Sequence, residues 1–265
     1  MFRLPECFDL FTVSSGNNCR WNGAMRSGNA DLNAEKIISL CSQIQNGHAD
    51  RLFKASAKIS AGTIDGYFVK MYKLPGFSAQ LRRRWRMGRA MHSLLAAEAV
   101  THAHVATPQV LAAVTLISGS HICDFLITDA LSEEQTTFNF TLPQRTESEQ
   151  CHSLLHNILP AVARLHQHGI AHGDLNLRNL FRTDADPGAG VIDLDGTLWQ
   201  KKPLSTALRE QELARLLSGF CKLCGNISCT DIIDAALDNY EQLCMVHCRK
   251  EHILRRAEYL LNRTR

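Results

Sequence analysis

Residues 172 to 181 read HGDLNLRNLF, and residues 191 to 196 read VIDLDG. The first stretch packs a His, an Asp, two Asn and an Arg ahead of a short apolar end. A regular helix or strand cannot bury such a run. The pattern suits a loop in which Leu175 and Leu177 face a core while the polar positions face a cleft. The second stretch reads as a strand, VIDLD, that carries two carboxylates.

The pattern on either side supplies the scaffold. Residues 34 to 47 have Ile37, Ile38, Cys41 and Ile44 at helical spacing, and Gly47 is a stop signal. LFKASAKISAG and YFVKMYK read as two strands around TIDG, whose Asp65-Gly66 is a hairpin dipeptide. In the second of these strands Phe68 and Lys70 point one way, and Val69 and Met71 the other. A helix is expected from Ser78 to about His104. VLAAVTLIS and HICDFLITDAL read as strands turning at Gly119-Ser120. Cys151 to His168 is expected to be a helix ended by Gly169. From about residue 204 the chain reads as helices. Residues 1 to 33, rich in Ser, Gly and Asn, read as an irregular extension. The expected division is therefore 1–33 extension, 34–130 β-rich with one long helix, and 131–265 mainly helical.

Phosphoryl transfer from ATP matches the polar residues. It needs positioning, charge neutralisation through Mg²⁺, and a group that orients the attacking hydroxyl. A carboxylate at the start of a loop does the last job. An Asn carbonyl oxygen five residues on, and a carboxylate on the next strand, are hard oxygen donors suited to Mg²⁺. Asp174, Asn179 and Asp193 stand in that order. The alternative for all three is a polar turn between a helix and a strand.

The spacing resembles the kinase catalytic loop H-x-D-x-x-x-x-N followed by a metal-binding Asp. The form HGDLNLRN with IDLD, together with YFVKMYK, RRRWRMGRAMHSLL, ATPQVLAAV and ITDAL, resembles the lipopolysaccharide core kinases of Kdo and heptose type. The resemblance covers roughly residues 50 to 220. It implies an α+β, bilobal protein-kinase-like fold, with a β-rich N-lobe and a mainly helical C-lobe. It implies ATP and Mg²⁺, and a sugar hydroxyl of the lipopolysaccharide core, or another sugar, as acceptor. Asp174 would be the base, His172 a support of the loop, and Asn179 and Asp193 the Mg²⁺ ligands with Asp195 as auxiliary. Lys70 would contact the α- and β-phosphates, with Lys73 as its rival. The adenine would meet the backbone near Thr128 to Leu131. The glycine loop departs from the family pattern, since SAGTIDG offers only Gly62 and Gly66. The long helix lacks a mid-helix Glu, so Glu98, late in that helix, is the candidate partner of Lys70.

Two other readings stay open: a kinase for a soluble small molecule of aminoglycoside or choline type, and a catalytically weak nucleotide-binding pseudokinase. Net charge is +3, which carries no global polyanion signal, and no nucleic-acid partner is expected. From Lys70 to Arg89 the chain has seven Lys or Arg and no acid, a run that suits an anionic lipid surface or ordinary solvation. No signal peptide or membrane span is read, and ten Cys are read as reduced thiols. The expected location is the cytoplasm, peripheral to the inner membrane. CKLCGNISC, with Cys221, Cys224 and Cys229, suits zinc or plain packing, and residues 244 to 248 read as helix. His102, His104, His166 and His168 read as surface or helix-end residues.

Overall fold

The computed structural model describes residues 4–15, 19–29, 31–74, 87–119, 121–132, 148–186, 188–224 and 230–263. Two compact units divide the chain, Met1–Glu98 with Pro108–Leu131, and Ala99–Thr107 with Ser132–Arg265. Residues 99 to 107 thus group with the second unit.

The first unit is a seven-stranded antiparallel sheet in the order β1-β2-β6-β7-β5-β4-β3. Its strands are β1 (Phe8–Ser15), β2 (Cys19–Arg26), β3 (Arg51–Ala55), β4 (Ile59–Ile64), β5 (Tyr67–Lys73), β6 (Val110–Ser118) and β7 (His121–Asp129). Within the expected irregular extension, Phe8–Ser15 and Cys19–Arg26 are therefore strands. Strands β1 and β2 form a hairpin that pairs onto β6. Gly23 is needed there, because a Cβ would stand 2.9 Å from the Ala113 carbonyl oxygen and 2.8 Å from the Phe11 ring. Trp21 of β2 packs 5.7 Å from the Phe125 ring, which anchors the hairpin to the core.

The segment read as one strand, LFKASAKISAG, is two strands with a turn at residues 56 to 58. Ser56 makes that turn, its Oγ accepting from the N–H groups of Lys58 and Ile59 at 3.3 and 3.0 Å. The β4–β5 turn is as expected, with Asp65 at φ 51° and Gly66 at φ 79°. Helix α1 (Ala34–Gln45) is capped by the Asn33 side chain, which accepts from Lys36 N. Its Ile37, Leu40, Cys41 and Ile44 pack with Val69, Met71, Phe125 and Ile127. Lys70 lies on the opposite sheet face, as alternation requires. Helix α2 (Arg89–His102) leads out of this unit; the part of the expected helix from residue 78 to 86 lies outside the described residues.

The second unit contains α3 (Ser148–Gln167), β8 (Ile170–Ala171), β9 (Leu180–Arg182), β10 (Ala189–Val191), β11 (Leu198–Trp199), α4 (Thr206–Cys224), α5 (Thr230–Cys244) and α6 (Lys250–Arg263). Residues 245 to 248 are outside the helices, contrary to expectation. Gly169 follows α3 at φ 75°, and a Cβ would stand 2.3 Å from the Gln200 and Lys202 carbonyl oxygens, so the close approach admits only glycine. His166 stands in the last turn of α3, as a helix-end residue, but is fully buried. Tyr240 Oη bonds its Nδ1 at 2.6 Å and accepts from Arg209 Nη1 at 3.3 Å. Burial lowers the His166 pKa, with Glu212 opposing. The seven cysteines whose side chains are described form no disulfide.

Helix α6 is tied to α4 by the buried Glu210, which accepts from Arg249 Nη2 at 2.6 Å and Nε at 3.0 Å and lies 3.0 Å from His252 Nδ1. The Arg249 hydrogen bonds hold the Glu210 carboxyl at about 2, against an ordinary 4.5. A depressed carboxylate contributes stability above its unfolded pKa and loses it as pH falls through its folded pKa. Glu210→Gln removes that contribution. Urea unfolding between pH 6 and roughly pH 2 should show wild type losing more stability than Glu210→Gln as the carboxylate protonates.

Candidate active site

Gly173 has φ 84°, and a Cβ there would stand 2.2 Å from the Gly196 carbonyl oxygen. Only glycine permits this approach. The loop after β8 is thereby pressed against the turn before β11, and further bonds stitch the two together. His172 Nε2 donates to the Ile192 carbonyl at 2.9 Å. Ile192 N donates to the Asn179 carbonyl at 2.9 Å, and Thr197 Oγ1 to the His172 carbonyl at 3.3 Å. His172 Nδ1 accepts from Asp174 N at 3.3 Å, which sets the neutral Nε2–H tautomer. His172 supports the loop in this way.

Within the loop, Leu175 and Leu177 are buried and Asp174 is exposed, in line with the pattern. Asn179 ends a 3-10 turn, Leu177–Asn179, which the Asn176 side chain caps. Its Nδ2 donates to the Asp174 carbonyl at 2.9 Å and to Asp174 Oδ2 at 3.2 Å. Both amide hydrogen bonds use nitrogen, which leaves Oδ1 as an acceptor for a cation.

The strand VIDLD is shorter than expected. β10 stops at Val191, and Asp193 caps a 3-10 turn, Leu194–Gly196. Asp193 sits at φ 61°, ψ 59°, a left-handed conformation uncommon outside glycine. Such strain persists where the surroundings over-determine it, and it turns the exposed carboxylate out of the strand. Asp195 is half-buried in the same turn. Asn179 Oδ1 and the two carboxylates are hard oxygen donors, and their chemistry fits Mg²⁺.

Glu212 of α4 carries no motif, and sequence reasoning missed it. It is buried, and its two oxygens accept from the backbone N–H groups of His172 at 2.6 Å and Gly173 at 2.9 Å. Burial pushes its pKa up, but His166 and the His172 N–H outweigh burial, so the net shift is downward. His166 Nε2, 3.8 Å from Glu212 Oε2, has no hydrogen-bond partner. An acid in the helix after the loop was the only signal in the sequence.

The remaining candidates lie in the first unit. Lys70 is buried on β5, with Nζ 5.1 Å from the Tyr72 ring centre. Glu98 is not its partner. Glu98 Oε1 takes Arg26 Nη2 at 2.6 Å, while Arg26 Nε donates to the Val110 carbonyl at 2.9 Å. The N-terminal hairpin thus supplies the cation that engages Glu98. Asp124, which sequence reasoning passed over, shares the sheet face of Lys70, two residues along β7 from Leu126, the register partner of Lys70. It is buried and accepts from Thr115 Oγ1 at 2.8 Å and from Arg89 N, at the start of α2, at 3.2 Å. Gly62 is not in a loop. It lies within β4, where a Cβ would stand 2.6 Å from the Arg51 carbonyl oxygen. Strand packing explains that glycine, and the β3–β4 turn has none. Thr128 is buried in β7, its Oγ1 donating to the Asp129 carbonyl at 2.9 Å, and Leu131 follows the strand half-buried.

The model of the lipopolysaccharide kinase (Kdo/WaaP) family matches residues 57–240. The chain belongs to this family. It is a kinase with a kinase-like fold, β-rich in its N-terminal part and helical in its C-terminal part. A solved structure, WaaP in complex with acyl carrier protein, is 17% identical to it. That match covers 80% of this chain and 88% of the other at a TM-score of 0.57, so it speaks for the fold. No curated protein sequence matches the chain. Within this family member, Cys229 lies outside the described residues. The described residues contain no cluster of three or more His, Cys, Asp or Glu suited to a metal ion.

Glu212→Gln leaves one acceptor oxygen for two loop N–H groups, that of His172 buried and that of Gly173 partly buried. It should cost about 1–3 kcal/mol of stability and lower kcat with little change in the KM for nucleotide. Thermal unfolding and steady-state kinetics check both.

Proposed function

We propose that the chain transfers the γ-phosphoryl group of ATP to a sugar hydroxyl, on Kdo or heptose, of the lipopolysaccharide core. The observation that carries this reading is the Gly173–Gly196 contact, which sets the loop of Asp174 and Asn179 against the turn of Asp193. Asp174 orients the acceptor hydroxyl and takes its proton as the oxygen attacks the γ-phosphorus. The bond from that phosphorus to the bridging oxygen of ADP breaks, and ADP leaves. Asn179 and Asp193 would hold Mg²⁺, with Asp195 as auxiliary ligand. When bound, the ion neutralises charge on the phosphates. In the same reading Lys70 contacts the α- and β-phosphates, and the backbone near Thr128 and Leu131 meets the adenine. Gly62 packs within β4 and Glu98 pairs with Arg26, so neither is assigned a role in this reading.

A lipid-borne acceptor fits a protein that works at the cytoplasmic face of the inner membrane. No described helix is long and apolar enough to cross a membrane. Arg82, Arg83, Arg84 and Arg86 lie outside the described residues, and Arg89 opens α2. On α6, His252, Arg255, Arg256, Tyr259, Leu260 and Arg263 line one open groove, with Arg255 paired to Glu251 at 3.4 Å and His252 lying 3.0 Å from Glu210. Basic residues interleaved with an aromatic suit peripheral contact with an anionic surface.

The test is transfer of label from ATP to purified core lipopolysaccharide precursors with Mg²⁺. Asp174→Ala and Asp193→Ala should each lower transfer by at least about 100-fold while leaving the protein folded. Transfer that survives both changes would sink the reading. Transfer only to soluble aminoglycoside- or choline-like acceptors would replace the lipopolysaccharide acceptor with a small molecule.

A further inference from the structure

Arg215, on α4 one turn beyond Glu212, meets the same loop. Its Nη1 donates to the Gly173 carbonyl and lies 3.5 Å from Asp174 Oδ1. The two oxygens of Asp174 are therefore divided. Oδ2 faces Asn179, on the side of the proposed metal ligands, and Oδ1 faces Arg215. If Asp174 orients the acceptor hydroxyl, Arg215 marks the side on which the acceptor lies.

Only one nitrogen of that guanidinium is used. Nε and Nη2 meet no acceptor among the described residues, and the side chain is 32% exposed. These two atoms form one edge with parallel N–H groups, the edge that fits a carboxylate or phosphate bidentately. Nη1 holds the loop while the remaining edge stays available beside the reacting position. Arg178, on the same loop between Leu177 and Asn179, is exposed, and its side chain meets no acid among the described residues. The Arg215 guanidinium beside Asp174, with a second Arg on the same loop, disfavours a cationic acceptor and favours an anionic one.

We infer that Arg215 recognises an anionic group on the acceptor, close to the hydroxyl that is phosphorylated. The inference rests on the reading of Asp174 given above. Two sources supply that chemistry: the carboxylate of an acidic sugar such as Kdo, or a phosphate already attached to a neutral sugar such as heptose. Arg215 is then a specificity residue of the transfer reaction, acting by direct contact with the acceptor.

The experiment uses the full chain with ATP and Mg²⁺ and four lipid-linked acceptors in two pairs. One pair is a Kdo-terminated acceptor and its neutral carboxamide. The other is a phosphate-bearing heptose acceptor and its dephosphorylated form. Wild type should show a KM about 10- to 100-fold lower for the charged member of one pair, and that pair identifies the source. Arg215→Ala should erase the preference and leave the KM for ATP unchanged. Arg215→Lys, a point charge without the planar fork, should restore part of it and controls for folding. Equal KM values within both pairs for wild type would overturn the inference and leave the reading of Asp174 standing. A preference that survives in Arg215→Ala, with kcat lowered equally on all four, would reduce Arg215 to holding the loop. Absence of any Asp174-dependent transfer would overturn both.

Discussion

Two backbones touch at Gly173 and Gly196, and the chemistry of the second unit depends on that contact. The approach leaves no room for a Cβ at Gly173, whose φ of 84° already excludes most side chains. Around it, His172 reaches across to Ile192, Thr197 reaches back to His172, and the backbone of Asn179 takes Ile192. Glu212 closes the arrangement from below by accepting two consecutive loop N–H groups. The His172 N–H, which is buried, would be costly to leave unpaired. The loop is thereby over-determined, and such surroundings can hold a left-handed Asp193 beside an exposed Asp174.

Charge is arranged with the same economy. A buried Glu212 stays ionised because backbone N–H groups and the His166 side of α3 offset its burial. Glu210, two residues earlier on α4, serves α6 instead, through Arg249 and His252. Residues two apart lie on opposite sides of a helix, so neighbouring acids on α4 do separate work. Arg215, three residues past Glu212, returns to the loop side of the helix and meets Asp174.

Much of the sheet was legible in advance. Alternation in YFVKMYK put Val69 and Met71 on one face, the one α1 covers in the structure, and Lys70 on the other, and Asp65-Gly66 marked its hairpin. The N-terminal hairpin was not legible. Its Ser, Gly and Asn content masks a strand whose buried positions, on both faces, are Trp21, Gly23 and Ala24. Small residues are used there because the Phe11 ring and the Ala113 carbonyl crowd the position of Gly23. That hairpin also decides the fate of Glu98, since Arg26 comes from a strand 72 residues away in sequence. No local pattern encodes such a pairing.

The sequence by itself determined the order Asp174, Asn179, Asp193, the burial of the leucines between them, and the kinase resemblance they carry. Those properties are local: they follow from spacing, and spacing survives in a linear string. Only the tertiary structure decided that Gly62 serves strand packing, that Glu98 belongs to Arg26, and that Asp193 leaves its strand. It alone placed Glu212 and Arg215 against the loop, 39 to 42 residues downstream of the groups they meet. Such contacts depend on how α4 packs, and packing is set by the whole core rather than by any neighbouring residue.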